Sequence, residues 1–250
     1  MSEDARVRGV VISRSGERVW AYVTTPWSVE VLAVLEEHGI EALGLGADSE
    51  IRGDDDLAGL DRLTSLRALE IDWSRTPVIP EATLWQLDEL ALTGRSGAKV
   101  PVASLPRLRS LEYRPGCVVG ALADLPRLEH VTTRGMPRDG FGAFDACAAL
   151  RLVRMNGRGV TTLGCASPPR ALESLILSGI ALATLEGVEG LPVINDLAVE
   201  GGREAAGLTL DLTPLRSCPS LRVFSARGYA AYEGEDAVLG TLERLALAAR

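Results

Sequence analysis

Three neighbouring carboxylates, Asp54, Asp55 and Asp56 in "GDDDL", are the densest group of metal-type ligands in the chain. Adjacent side chains on regular backbone cannot all converge on one ion, and no histidine or further ligand motif accompanies them. They better suit an N-cap and acidic first turn of a short helix starting near Leu57, where carboxylates meet unpaired N–H groups. "GLGADS", Gly44 to Ser49, carries the opening glycines of a dinucleotide loop but lacks the third, and no clear βαβ unit follows. His38 and His130 have no neighbouring nucleophile motif, and no G-x-S-x-G elbow occurs. Cys117, Cys147, Cys165 and Cys218 form no C-x-x-C pair and cluster with neither histidine. They read as free, mostly buried thiols of a reducing compartment rather than disulfides or zinc ligands. No catalytic residue, metal or cofactor is therefore expected; a hydrolase using outward carboxylates and His130 is the remaining catalytic alternative.

Composition narrows the partners. A net charge of −8 and a pI near 5.0 disfavour nucleic acid and membrane surfaces, both of which recruit Lys and Arg. Lys99 is the only lysine, and this arginine bias, with the Ala and Gly richness, points to a high-GC bacterial genome. The N-terminus has no long apolar stretch, and no later run could span a bilayer, so a cytoplasmic location is expected. Aromatics are only 4%, which leaves Leu, Val and Ala to build the core.

The elements that position any site come from a repeat. "LTSLRALEI", "LWQLDELAL", "LPRLRSLEY", "LPRLEHVTT", "CAALRLVRM", "PRALESLIL", "CPSLRVFSA" and "LGTLERLAL" are versions of one unit. Its markers are Ile40, Leu66, Leu87, Leu108, Leu128, Leu150, Leu172, Ile194, Leu221 and Leu242. Seven of their nine spacings lie between 20 and 22 residues. The two longer ones imply insertions near "GADSEIRGDDD" and "EGGREAAGL". Within a unit the L-x-L portion alternates like a strand. The apolar residues that follow, every third position, fit 3₁₀ or irregular turns. Each unit is therefore one strand plus one return arc.

This pattern resembles the leucine-rich repeat family, in its class of about 22 residues, over residues 40–250. The resemblance implies an α/β leucine-rich repeat solenoid of about ten repeats, with a parallel concave β-sheet and short helical or 3₁₀ convex segments. It also implies a non-enzymatic module that binds a protein or peptide on the concave face, of a bacterial regulatory or immunity type. The family's asparagine ladder is missing: the corresponding column reads Ser74, Arg95, Gly116, Met136, Arg158, Ile180, Gly202 and Tyr229. Residues 1–39 fall outside the repeat and read as an N-terminal cap. "VRGVVIS" and "RVWAYVTT" form a β-hairpin around "RSGE", then a helix runs from near Pro26 to Gly39. Trp20 and Trp27 are expected in the core of that cap. The chain's last residues stop in or just after a strand, and self-association through that sheet edge is the structural alternative. The oligomeric state stays open.

Charge patterning places the candidate site. Arg67, Asp88, Arg109, Glu129, Arg151, Glu173, Asn195, Arg222 and Glu243 head the strands with nearly alternating sign, which reads as a structural charge ladder, with a binding strip as the alternative. Outward strand positions run from acidic Glu70, Asp72, Glu89 and Glu112 to basic Arg114, Arg134 and Arg154, with His130, Thr132 and Asn156 among them; Asp196, Glu200 and Arg227 follow. Arg114, Arg134 and Arg154 are expected to face an acidic surface or peptide. Trp73, one residue beyond Asp72, is expected either at the rim as an aromatic anchor or packed against the inserted segment 77–86.

Overall fold

The computed structural model describes residues 5–7, 9–15, 18–50, 57–137, 139–158, 160, 162–237 and 242–249. The protein is α/β, with mostly parallel sheet and few helices, in two compact units, Met1–Gly120 and Ala121–Arg250.

In the first unit, β1 (Ala5–Val7), β2 (Val10–Ser15) and β3 (Arg18–Val23) pair antiparallel. The expected turn residues of that hairpin, Gly16 and Glu17, lie outside the described residues. Helix α1 (Val29–His38) follows, with Ser28 accepting from the Val31 N–H and Gly39 closing it in the left-handed region at φ 58°. It buries Val31, Leu32, Val34 and Leu35. From β3 onward every pairing is parallel: β4 (Ala42–Leu45), β5 (Ala68–Ile71), β6 (Glu89–Leu92) and β7 (Ser110–Tyr113) join in sequence order. The second unit adds strands in the same way, through β8 (His130–Arg134), β9 (Leu152–Asn156), β10 (Ser174–Ile180), β11 (Asp196–Gly201), β12 (Val223–Tyr229) and β13 (Arg244–Ala249).

All ten repeat markers sit two residues before the first residue of a strand, from Ile40 and Ala42 to Leu242 and Arg244. The inward positions of each strand are then three and five residues past the marker. Leu43 and Leu45, Leu90 and Leu92, Leu175 and Leu177 are all at most 2% exposed. Each such side chain contributes about 1.5–3 kcal/mol by leaving water. The return segments are largely short 3₁₀ turns, as at Val102–Ser104, Leu122–Asp124 and Val188–Gly190, together with helix α2 (Glu81–Gln86). Short parallel ladders also join returns, Arg75–Thr76 with Ser96–Gly97 and Thr209–Asp211 with Ala231–Glu233.

Without an asparagine ladder, the turns after the strands stack by close backbone approach. Most residues seven past a marker are glycine, including Gly94, Gly157 and Gly228. A Cβ on Gly157 would lie 2.9 Å from the Gly135 carbonyl carbon and the Met136 nitrogen, and one on Gly94 would lie 2.6 Å from the Thr76 nitrogen. Side chains supplement this contact in the first unit. The Cys117 thiol donates to the Gly94 carbonyl at 2.8 Å, and the Thr93 hydroxyl lies 3.2 Å from the Ile71 carbonyl and 2.8 Å from Asp72 Oδ1.

The expected charge ladder is realised in part. Arg151 pairs with Glu173 at 3.4 Å and Arg222 with Glu243 at 3.8 Å. All four side chains are substantially exposed, so each pair adds at most about 1 kcal/mol. The steadier ladder is the backbone at the same positions, where Glu173 N–H donates to Arg151, Asn195 to Glu173 and Arg222 to Asn195.

Gly157→Ala is expected to lose about 1–3 kcal/mol in urea unfolding, because backbone must move to admit the methyl group. Gly142→Ala, where an added Cβ would meet nothing within 4 Å, should fall within about 0.5 kcal/mol of wild type. Leu175→Ala, at a fully buried site, should lose about 2–5 kcal/mol.

Candidate functional site

Strand alternation decides which side chains are available. Because parallel partners align residue for residue, each outward position forms a row across the sheet, spaced by about 4.8 Å per strand. In the first unit, one row reads Trp20, Ala42, Ala68, Glu89 and Ser110, and the next Tyr22, Gly44, Glu70, Ala91 and Glu112. Glu70 is exposed, and Glu112 is half-buried opposite Ala91. A shallow hollow of about 160 Å³ lies among Trp20, Ala68, Glu70, Glu89, Ala91 and Glu112.

This face differs from the sequence expectation at its aromatic residues. Trp20 is 39% exposed and not core, since it shares outward parity with Tyr22 while Ala21 and Val23 point inward. The Arg18 guanidinium lies 4.9 Å from the Trp20 ring centroid and donates to Glu89 at 3.1 Å, a cation held by both an aromatic face and a carboxylate. Trp27 is buried, as expected, with its indole N–H donating to the Ala58 carbonyl at 3.3 Å. Trp73 corrects the expectation of an exposed anchor. It is 3% exposed and donates to Ser49 Oγ at 2.8 Å and to the Gly46 carbonyl at 3.1 Å. An indole turned inward can satisfy its N–H on the preceding turn, so Trp73 ties two turns together and leaves the face.

Asp72 is exposed and accepts from the Thr93 hydroxyl. Arg114 is half-buried, and its Nε donates to the Thr93 carbonyl at 3.1 Å, which commits part of its guanidinium to the fold. It belongs to the first unit, whereas Arg134 and Arg154 belong to the second.

In the second unit the structure gathers most of the remaining candidates. The register aligns His130 with Leu152, Thr132 with Arg154 and Arg134 with Asn156. His130, Arg134, Arg154 and Asn156 are exposed and Thr132 is half-buried, while the alternate residues Val131, Thr133, Val153 and Met155 are buried. Arg154 and His130 have no hydrogen-bond or ion-pair partner among the described residues. Further along the same rows, Glu200 and Arg227 pair at 2.9 Å, and the Ser174 hydroxyl donates to Asp196 at 3.3 Å. The sequence reading overlooked the small outward residues Ala198, Ser225 and Ala246, which share the Arg154 row and hollow it out. The visible signal was the loss of large side chains at one outward position over consecutive repeats.

The nucleophilic and metal-type residues have other surroundings. The described cysteines carry free thiols, three of them buried. Burial pushes Cys147 up to about 11, with the Asp145 carboxylate adding to the shift; burial and then Glu189 do the same to Cys218. Burial, followed by a hydrogen bond to Asp145 and its charge, pushes Cys165 up to about 11. These thiols are protonated at neutral pH, so none of the three is an activated thiolate. Asp54, Asp55 and Asp56 lie outside the described residues. Among the described residues, no group of three or more His, Cys, Asp or Glu side chains could hold a metal ion, and no helix is long and apolar enough to cross a membrane.

Raised thiol values fix the sign of an alkaline effect. Below pH 9 these thiols are protonated in both states. Between about pH 9 and 11 the unfolded chain sheds the protons first, so stability falls across that window. Unfolding monitored from pH 8 to 11 should show this decline, and it should shrink in a Cys147→Ala, Cys218→Ala variant. At pH 8, Cys147 and Cys218 should react with a thiol reagent at least tenfold more slowly in the folded chain than in urea.

No protein-family model matches this chain, and no curated protein matches it.

Proposed function

We propose that the chain is a non-enzymatic binding module of leucine-rich repeat type, a solenoid whose outward sheet face recognises a protein or peptide. The observation that carries this reading is the outward face of the second unit. Parallel strands in register present exposed His130, Arg134, Arg154 and Asn156 over a fully buried inward layer. A face of this kind is pre-organised: its side chains stand on parallel strands held in register by backbone hydrogen bonds, so a partner orders little on binding. A standard interface needs about 800 Å² per partner, which several adjacent strands offer.

The 20–22-residue spacing of seven of the nine intervals and the constant two-residue offset of every marker from a strand start support the repeat assignment. Free thiols favour a reducing, cytoplasmic setting. Exposed Arg134 and Arg154 on adjacent strands favour an acidic partner surface, and the acidic balance of the whole chain disfavours nucleic acid.

The test is affinity isolation from a bacterial lysate followed by binding of the purified pair, with wild type compared against Arg134→Glu, Arg154→Glu. The expected result is a protein bound by wild type and at least tenfold more weakly by the variant, with affinity falling as salt rises. Equal binding by both would remove the second unit's outward face from the reading.

A further inference from the structure

The second unit holds a trough on its outward face with one open charge among the described residues. Strand pairing aligns Arg154, Ile176, Ala198, Ser225 and Ala246 in one row over β9 to β13. The adjacent row reads Asn156, Ser178, Glu200, Arg227 and Ala248. Beyond Ile176 the first row shrinks to Ala and Ser while the second keeps Glu200 and Arg227, so a cavity of about 490 Å³ opens between them. Five strands give the row a length of about 19 Å.

The other charges along this trough are already matched. Glu200 and Arg227, the other two charged residues that line it, close on each other at 2.9 Å. Arg154, at the end where the floor begins, is exposed and has no acidic partner among the described residues. An open guanidinium beside an apolar floor asks for a carboxylate joined to an aliphatic group, because a planar fork binds a carboxylate through two parallel hydrogen bonds.

Spacing refines this demand. Arg154 and Ala198 stand two strands apart in the row, about 9.6 Å. In an extended segment, residues two apart face the same way at about 6.8 Å. A glutamate reaching back to Arg154 therefore sets the side chain two residues on over Ala198, between Ile176 and Ser225. A branched aliphatic group fills that space, and a second charge there would meet no partner.

We propose that this trough anchors an extended segment of a protein partner, with an acidic side chain on Arg154 and, two positions along, a branched aliphatic side chain on Ala198. The proposal rests on the binding-module reading and specifies its site and the partner's chemistry.

The full chain is titrated with the capped peptide acetyl-Ser-Glu-Ser-Leu-Ser-amide and followed by backbone amide NMR. Shifts are expected at Arg154, Ile176, Ala198 and Ser225. The peptide with Gln in place of Glu should bind at least fivefold more weakly. Arg154→Gln should weaken the Glu peptide by the same factor and leave the Gln peptide unchanged, a coupling that a purely structural arginine would not show. Ala198→Leu, which fills the trough, should abolish binding of both peptides; if that variant fails to fold, the Arg154→Gln comparison decides. Equal binding of the Glu and Gln peptides, shifts confined to other strands, or no shifts at millimolar peptide would overturn the proposal. A protein partner that still binds Arg154→Gln, Ala198→Leu but is lost by other outward-face variants would overturn the trough and leave the binding-module reading standing.

Discussion

The inward pair of apolar side chains on each strand is the constraint on which the rest depends. A four- or five-residue strand cannot bury such a pair by itself, so it is stable only when the strands on either side carry their own pairs in the same register. That requirement sets the spacing of the repeat. Parallel neighbours demand that the chain return to the same end of the sheet, and a return of some 16 residues leaves a period near 21. Leu43, Leu69, Leu90 and Leu111 in the first unit, and Val131, Val153, Leu175 and Leu197 in the second, are consecutive members of such columns, none more than 2% exposed.

Close stacking of the turns follows from the same constraint. Strands about 4.8 Å apart bring the backbone after each strand against the turn before it. Where a family with an asparagine ladder would fill that gap with a side chain, this chain removes the side chain: Gly94, Gly157 and Gly228 admit the neighbouring backbone directly. Trp73, at the same position of its repeat, and Cys117, two residues beyond it in another, add a side chain instead, and each spends its donor on a carbonyl of the preceding turn. Glycine at these positions costs conformational entropy in the unfolded chain, and the contact between turns offsets it.

With the inward side and the turns committed to the fold, variation is left to the outward positions. Their chemistry is set by neighbours in the row more than by neighbours in sequence. Arg18 illustrates this: it meets Glu89, 71 positions away, because β3 and β6 are held in one sheet, and Trp20 two residues on provides the ring beneath it. Arg227 meets Glu200 for the same reason. Arg154 stands at the edge of such pairings, and that position gives it an open guanidinium.

The amino-acid sequence by itself determined the periodic part of the structure: where strands begin, which residues face inward, the cap helix and its end at Gly39, though not its start, expected near Pro26 and found at Val29 after the Ser28 cap, and the order of pairing. These follow from short-range spacing, in which a one-residue slip would turn every leucine toward water. It also named the outward arginines, since alternation is local. Tertiary structure alone decided which of them are available. Arg114 and Arg154, six and four residues past their markers, both read as outward arginines, yet one reaches a carbonyl at Thr93 and the other has no such acceptor among the described residues. Trp73 and Trp20 both depart from expectation, for different reasons: the Trp73 indole N–H finds Ser49 and Gly46 within range and turns inward, whereas Trp20 shares the outward parity of Tyr22, with Arg18 over its ring. The trough beside Arg154 depends on what several distant repeats lack, a property that appears only when the register lays Ile176, Ala198, Ser225 and Ala246 side by side.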